Sequence, residues 1–124
     1  NYLEGWGSVV NEAMNSGCCV VANVQTGAAP FLIEDGKNGM LYRRTYEEFA
    51  TRVKVLFADP ARAEALGRAA CETILSEWNA EHAAEECLRF YQSWKGGAPD
   101  LPATGPFSSA PRLCARWRYD EGRL

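Results

Sequence analysis

A short run of apolar residues, Cys18 to Ala22, directly follows a segment with the periodicity of an amphipathic helix. Ser8 is a suitable N-cap for that helix, and Gly17 is a suitable C-terminal stop. An unbroken apolar run is typical of a strand buried on both faces of a parallel sheet. A helix that leads into such a strand is half of a β-α-β unit. The sequence therefore predicts an α/β fold built on a Rossmann-like parallel sheet.

The residues after this strand continue the same pattern. Residues 23–30 form a polar, glycine-containing loop, the place where open α/β sheets bind ligands. Asp35-Gly36 and Asn38-Gly39 are turn signals, and residues 40–42 are expected to form a second short strand. Two strands are fewer than the five or six of a doubly wound sheet. We therefore expect residues 1–94 to be the C-terminal part of such a domain, with the other strands preceding Asn1.

Three helices in series are predicted beyond the second strand. Thr45, Asp59 and Asn79 are each placed to cap the start of one of them. The last helix repeats apolar residues on one face: Ala83, Cys87, Phe90, Tyr91 and Trp94. Residues 95–124 are rich in Pro and Gly, and we expect this segment to be a flexible tail.

The composition excludes several classes of protein. The net charge of −3 gives no broad positive field for binding nucleic acid. No segment has the length of a transmembrane helix or the pattern of a signal peptide, which predicts a cytoplasmic chain. Five cysteines without C-x-x-C spacing favour reduced thiols over disulfides or zinc, and Cys18 and Cys19 are expected in the core. His82 is expected to be a surface residue.

Chemistry is concentrated between two glutamates, Glu4 and Glu12, in the segment E-G-W-G-S-V-V-N-E. Gly5 and Gly7 allow a ligand to approach the backbone, and the helix start presents unpaired N–H groups suited to a diphosphate. Carboxylates can accept hydrogen bonds from vicinal sugar hydroxyls. The combination fits a nucleotide sugar. The spacing alone also fits two solvated glutamates, and that alternative stays open here.

The segment E-G-W-G-S-V-V-N-E-A-M-N-S-G-C-C-V-V-A and the later T-G-A-A-P-F-L-I-E-D-G-K-N-G-M-L-Y closely resemble the C-terminal domain of family 4 glycosyltransferases. These enzymes have the GT-B fold and share a Glu, seven residues and a second Glu. The resemblance is strong over residues 1–42 and weaker through the helices. It implies a retaining transferase that moves a hexosyl group from a UDP or GDP sugar to a glycan or lipid-linked acceptor, with no metal and no other cofactor.

The resemblance also implies a role for each motif residue. Glu4 would orient the donor sugar and stabilise positive charge on the anomeric carbon, which is the catalytic role. Glu12 would bind the ribose hydroxyls. The residues that would line the sugar and diphosphate, largely through backbone N–H groups, are Gly5, Trp6, Gly7, Ser8 and Val9. We expect the Trp6 ring to pack beneath the loop rather than to stack on the sugar.

Some features depart from the family pattern. Many relatives have an acidic residue where this chain has Phe31, which bears on sugar or acceptor preference. The diphosphate-neutralising basic residues, the base-binding strand and the N-terminal acceptor-binding GT-B domain would all precede Asn1. The fragment alone is therefore not expected to turn over. Membrane contact is expected to be at most peripheral, at the inner face of a membrane.

Two other functions remain open. One is a non-catalytic nucleotide-binding or interaction module from a truncated gene. The other is glycoside hydrolysis by Glu4 and Glu12 as a carboxylate pair about 5 to 9.5 Å apart. Hydrolysis fits less well, because the helix start between the two residues favours an anionic group that glycosidase substrates generally lack.

Overall fold

A computed structural model describes residues 5–43 and 45–109 of the chain. These residues form a two-stranded parallel sheet and five helices, which confirms the predicted α/β class. In chain order the elements are α1 (Ser8–Asn15), β1 (Val21–Asn23), α2 (Ala29–Leu32), β2 (Met40–Tyr42), α3 (Tyr46–Ala58), α4 (Pro60–Ser76) and α5 (Ala80–Lys95).

The two strands pair in parallel, with Val21 opposite Met40 and Asn23 opposite Tyr42. The second strand has the predicted bounds, but the first begins at Val21 rather than at Cys18. The reason is local, because the N–H of Cys18 donates to the carbonyl of Ala13 at 3.0 Å and still belongs to the end of α1. The chain becomes free to enter the sheet only after this cap.

Both ends of α1 depend on glycine. The N-cap is Gly7, in the left-handed region with φ 77°, and Ser8 is already helical, so the prediction that Ser8 is the cap is wrong. Only glycine adopts this conformation without steric cost. Gly17, with φ 75°, donates to the carbonyl of Met14 at 2.9 Å. With the Cys18 bond this is a Schellman motif, which confirms Gly17 as the predicted stop.

The three predicted side-chain caps are present at α3, α4 and α5. The side chains of Thr45, Asp59 and Asn79 accept from backbone N–H groups at 3.2, 3.0 and 2.8 Å. Residues 23–30 do not form a loop throughout, because α2 begins at Ala29, with Pro30 in its first turn. Proline is favoured at that position because an N–H group in the first turn has no acceptor within the helix, so its absence costs no hydrogen bond.

The apolar core lies between α1, α2, β1 and α4. Its buried members are Val10, Met14, Ala22, Ala28, Ala29, Leu32, Ile33, Ala70 and Ile74. The α4 helix crosses the end of α1, where a Cβ on Gly67 would lie 2.1 Å from the carbonyl oxygen of Gly17. Gly67 thus allows α4 to lie directly against the backbone at the end of α1. Leu75, predicted to face inward, is exposed.

The predicted apolar row of α5 is mostly exposed, including Tyr91 and Trp94. The buried residue of this helix is Glu86, whose carboxylate pairs with Arg89. Residues 96–109 form turns against the helix, and the ring of Phe107 lies 6.3 Å from that of Phe90. Within the described residues, no helix is long and apolar enough to cross a membrane.

Candidate functional site

The start of α1 and the loop after β1 lie on the same side of the sheet. The α1 helix ends in the turn that leads into β1, so its N-terminus is beside the carboxyl end of that strand. The N–H of Ala28, in the loop after β1, donates to the carbonyl of Trp6 at 2.6 Å. This is the edge at which open α/β sheets bind ligands.

The two segments approach each other through glycine. A Cβ built on Gly27 would lie 2.1 Å from the carbonyl oxygen of Gly5 and 3.2 Å from the Cα of Trp6. The loop after β1 therefore supports the Gly5–Gly7 segment directly, backbone against backbone.

The first turn of α1 presents backbone N–H donors to the same edge. The N–H of Val10 donates to the carbonyl of Gly7 at 3.0 Å, which closes the turn. No acceptor among residues 5–43 and 45–109 takes the N–H of Ser8 or Val9. These two donors and the positive end of the helix dipole suit an anionic group.

Three of the predicted site residues share one face of α1. Ser8, Val9 and Glu12 are all exposed, and the i, i+3 and i, i+4 spacing places them together. The opposite face buries Val10 and Met14 in the core. The Glu12 side chain is thus carried by a helix whose other side is fixed by packing.

Glu4, the predicted catalytic residue, lies outside the described residues. The hydrolysis alternative depends on the distance between Glu4 and Glu12, so the structure does not test it. Of the other predicted residues, the structure brings Gly5, Trp6, Gly7, Ser8 and Val9 together at the start of α1. Gly7 is buried, whereas Gly5 is exposed.

The Trp6 ring packs against two other aromatic residues. Its centroid lies 5.8 Å from that of Phe31 and 6.0 Å from that of Trp78, and 46 % of the residue remains exposed. Phe31 therefore lies beside the candidate site, in α2. Sequence reasoning missed Trp78, which packs against the core from beyond α4. No local pattern could have indicated a partner so distant along the chain.

Other reactive groups lie away from this edge. Cys18 is exposed, so its predicted place in the core is wrong, whereas Cys19 is half-buried. Burial raises the pKa of the Cys19 thiol, and Arg62 acts in the opposite direction. A shallow depression lined by α4 residues, including Cys71, lies near the other end of α1, where the Cys71 thiol donates to the carbonyl of Asn15. Within the described residues, no three potential metal-ligating side chains cluster.

Comparison with known sequences identifies the family. The sequence profile of the glycosyl transferases group 1 matches residues 1–73, which is more than half of the chain. The chain belongs to this family. The match confirms the resemblance inferred from the Glu4–Glu12 segment and fits a Rossmann-like part of a GT-B domain. It also covers α1, β1, α2, β2, α3 and most of α4, and therefore the whole candidate site.

This group 1 chain is also similar to a curated enzyme. It is 40 % identical over 77 residues to a GDP-mannose-dependent alpha-(1-6)-phosphatidylinositol monomannoside mannosyltransferase of Mycolicibacterium smegmatis. The aligned segment covers 61 % of this chain and 20 % of that enzyme, so the chain spans about a fifth of its relative's length. No solved structure matches the chain significantly.

Proposed function

We propose that this chain holds the nucleotide-sugar donor of a retaining, family 4-type glycosyltransferase. The observation that carries the proposal is the exposed face of α1. It combines the N–H groups of Ser8 and Val9, for which the described residues provide no acceptor, with the carboxylate of Glu12 one turn further along. The proposal is further supported by membership of the group 1 family.

Each part of the donor has a matching group in this arrangement. The helix start and the Gly5–Gly7 backbone hold the diphosphate, because N–H donors and the helix dipole favour negative charge. The Glu12 carboxylate accepts from two ribose hydroxyls, since it lies about one turn beyond the phosphate position. Trp6 contributes through its backbone, while its ring packs on Phe31 and Trp78.

Glu4 has the catalytic role in this proposal. During transfer the bond between the anomeric carbon and the diphosphate oxygen breaks, and a bond to an acceptor hydroxyl oxygen forms. The sugar carries positive charge in between, and a carboxylate one residue before Gly5 would stabilise that charge. The nucleoside diphosphate leaves with the electron pair of the broken bond, and its oxygen takes the proton of the acceptor hydroxyl. The configuration at the anomeric carbon is retained. No metal or other cofactor takes part.

A GDP sugar is our first choice of donor, with UDP as the alternative. The curated relative is described as GDP-mannose-dependent and as acting on a phosphatidylinositol mannoside. We therefore propose hexosyl transfer to a glycan or lipid-linked acceptor, held by another domain of the same polypeptide. Phe31 lies next to Trp6. Because many relatives have an acidic residue at this position, the Phe31 ring would give this chain a different sugar or acceptor preference.

The test is calorimetric titration of GDP and UDP into the full-length gene product, with and without Glu12→Ala. Hydrogen bonds to a charged group contribute about 1.5 to 3 kcal/mol, so Glu12→Ala should weaken nucleotide binding by about 10- to 100-fold. Glu85→Ala is the matched control, because Glu85 is also exposed in the second turn of a helix. Equal affinities in all three proteins would refute ribose binding by Glu12.

Product analysis separates the enzyme from the non-catalytic module. The full-length protein, incubated with GDP-mannose and a membrane lipid extract, should release GDP and yield a mannosylated product. Nucleotide binding that depends on Glu12 without any transfer or donor hydrolysis would favour the non-catalytic nucleotide-binding module instead.

A further inference from the structure

The proposed contacts with the donor do not explain why residue 27 is a glycine. It lies in the loop after β1, outside the Glu4–Glu12 segment, and its φ angle is outside the left-handed region. The backbone at this position is therefore open to any L-residue. Glycine is required here for space alone, because a Cβ would approach the Gly5 carbonyl oxygen to 2.1 Å.

The atoms that a Cβ on Gly27 would meet cannot move aside by a change of side-chain rotamer. Gly5 and Trp6 contribute backbone atoms, at 2.1 to 3.2 Å, rather than the flexible end of a side chain. The next residue, Ala28, is fully buried and donates its N–H to the Trp6 carbonyl at 2.6 Å. An added methyl group must therefore separate the two backbone segments by about 1 Å, because Cβ atoms essentially never lie closer than 3.0 Å to such an atom.

We infer that Gly27 is a positioning residue of the donor site, which sets the depth at which the Gly5–Gly7 segment lies against the loop after β1. This inference rests on the proposed function, because it concerns the same donor. Gly27 acts through Gly5 and Trp6, and through them on the first N–H groups of α1. A displacement of about 1 Å at a reacting site can lower a rate by about 100-fold.

The chain offers a matched control for this effect. A Cβ on Gly67 would also lie 2.1 Å from a glycine carbonyl oxygen, that of Gly17, and Gly67 also has an ordinary φ angle. The two contacts lie at opposite ends of α1. Gly27→Ala and Gly67→Ala therefore introduce the same steric conflict, but only the first introduces it beside the donor site.

The experiment compares both variants in the full-length protein by steady-state kinetics with GDP-mannose and by calorimetry with GDP. A loss of folded protein lowers the maximal rate and leaves KM and Kd unchanged. We expect Gly27→Ala to raise the Kd for GDP and the KM for the sugar nucleotide by about 10- to 100-fold, the factor expected when hydrogen bonds to a charged group are lost. We expect Gly67→Ala to change both constants less than about twofold while lowering the thermal midpoint at least as much.

Equal effects of the two variants on Kd, or effects confined to the maximal rate, would overturn the inference. If the wild-type protein binds neither GDP nor UDP, or binds its nucleotide independently of Glu12, the proposed function fails, and this inference fails with it. Tight, Glu12-dependent binding that Gly27→Ala leaves unchanged would refute the positioning role alone.

Hydrogen exchange in the wild-type protein covers the case in which Gly27→Ala does not fold. GDP should protect the backbone amides of residues 5–12 and 25–30 together, because the two segments contact each other backbone to backbone and are stabilised as one unit. Residues 62–70 should keep their exchange rates. Protection of residues 5–12 with no change in residues 25–30 would contradict the inference.

Discussion

The two parts of this molecule use similar sequence patterns with different results. In the N-terminal part (residues 5–76), one face of α1 is buried, and Met14 has no exposed surface. In the C-terminal part (residues 77–109), the apolar row of α5 leaves Tyr91 52 % exposed. Every buried apolar side chain among the described residues belongs to the N-terminal part.

The difference shows what amphipathic periodicity specifies. A period of 3.6 residues indicates which side chains share a face of a helix, but not what covers that face. In α1 the cover is provided by α2 and α4, and the opposite face is left for the candidate site. The family profile ends at residue 73, close to the end of the N-terminal part.

The largest expected contrast is between Met14→Ala and Tyr91→Ala. Removing the fully buried Met14 side chain should lower the free energy of unfolding by about 2 to 5 kcal/mol, because it leaves a cavity. Truncating Tyr91, which contacts Trp94 and Lys95 on the surface, should change it by less than about 0.5 kcal/mol. Urea unfolding measures both. A loss at Tyr91 equal to that at Met14 would mean that the α5 row is covered in solution.

An intermediate contrast is expected between two asparagines. The Asn38 side chain is buried, donates to the Leu32 carbonyl and the Thr73 hydroxyl at 2.9 and 3.0 Å, and accepts from the Glu34 N–H at 2.7 Å. Asn38→Ala should lower the free energy of unfolding by about 2 to 3 kcal/mol, because hydrogen bonds are lost and buried groups are left without partners.

Its counterpart in the C-terminal part is Asn79, the N-cap of α5. Asn79→Ala should lower the free energy of unfolding by about 1 kcal/mol, the usual contribution of a helix cap. Thermal and urea unfolding of both variants give the comparison. If Asn79→Ala proved the more damaging change, α5 would contribute more to the folded state than its few buried residues indicate.

The smallest expected effect is the pH dependence from Cys19. Burial raises the pKa of this thiol above 9.0, so the folded state holds the proton at a pH where the unfolded chain releases it. The thiol therefore favours the unfolded state progressively as the pH rises above about 9 and has no effect at neutral pH. Cys19→Ala should flatten the profile of unfolding free energy against pH above pH 9, as measured by urea unfolding. A slope equal to that of the wild-type protein would contradict the burial effect.

Local signals explain what the sequence could predict. The caps at Thr45, Asp59 and Asn79 and the stop at Gly17 each depend on residues within a few positions, and the structure has all four. The apolar run from Cys18 to Ala22 predicted a strand of a parallel sheet, and the sheet is parallel. The strand begins later than predicted, at Val21, because Cys18 still belongs to the C-terminal cap of α1.

Long-range contacts explain what it could not. The support of Gly5 by Gly27 and the packing of Trp6 on Trp78 join residues far apart in sequence, and no periodicity indicates them. The predicted burial of Leu75 was wrong for the same reason, since it assumed a neighbour for that face of α4. The site residues Gly5 to Glu12 came from a motif, and their roles remain proposals.

The central claim, that the start of α1 binds the donor diphosphate, is tested most directly by NMR titration of GDP into full-length protein labelled with 15N-valine. No residue that the structure describes accepts the N–H of Val9, whereas the N–H of the adjacent Val10 donates to the carbonyl of Gly7. We expect a large, saturable shift of the Val9 amide, a smaller one at Val10, and loss of saturation in Glu12→Ala. A saturable GDP titration that leaves the Val9 amide in place would contradict the claim.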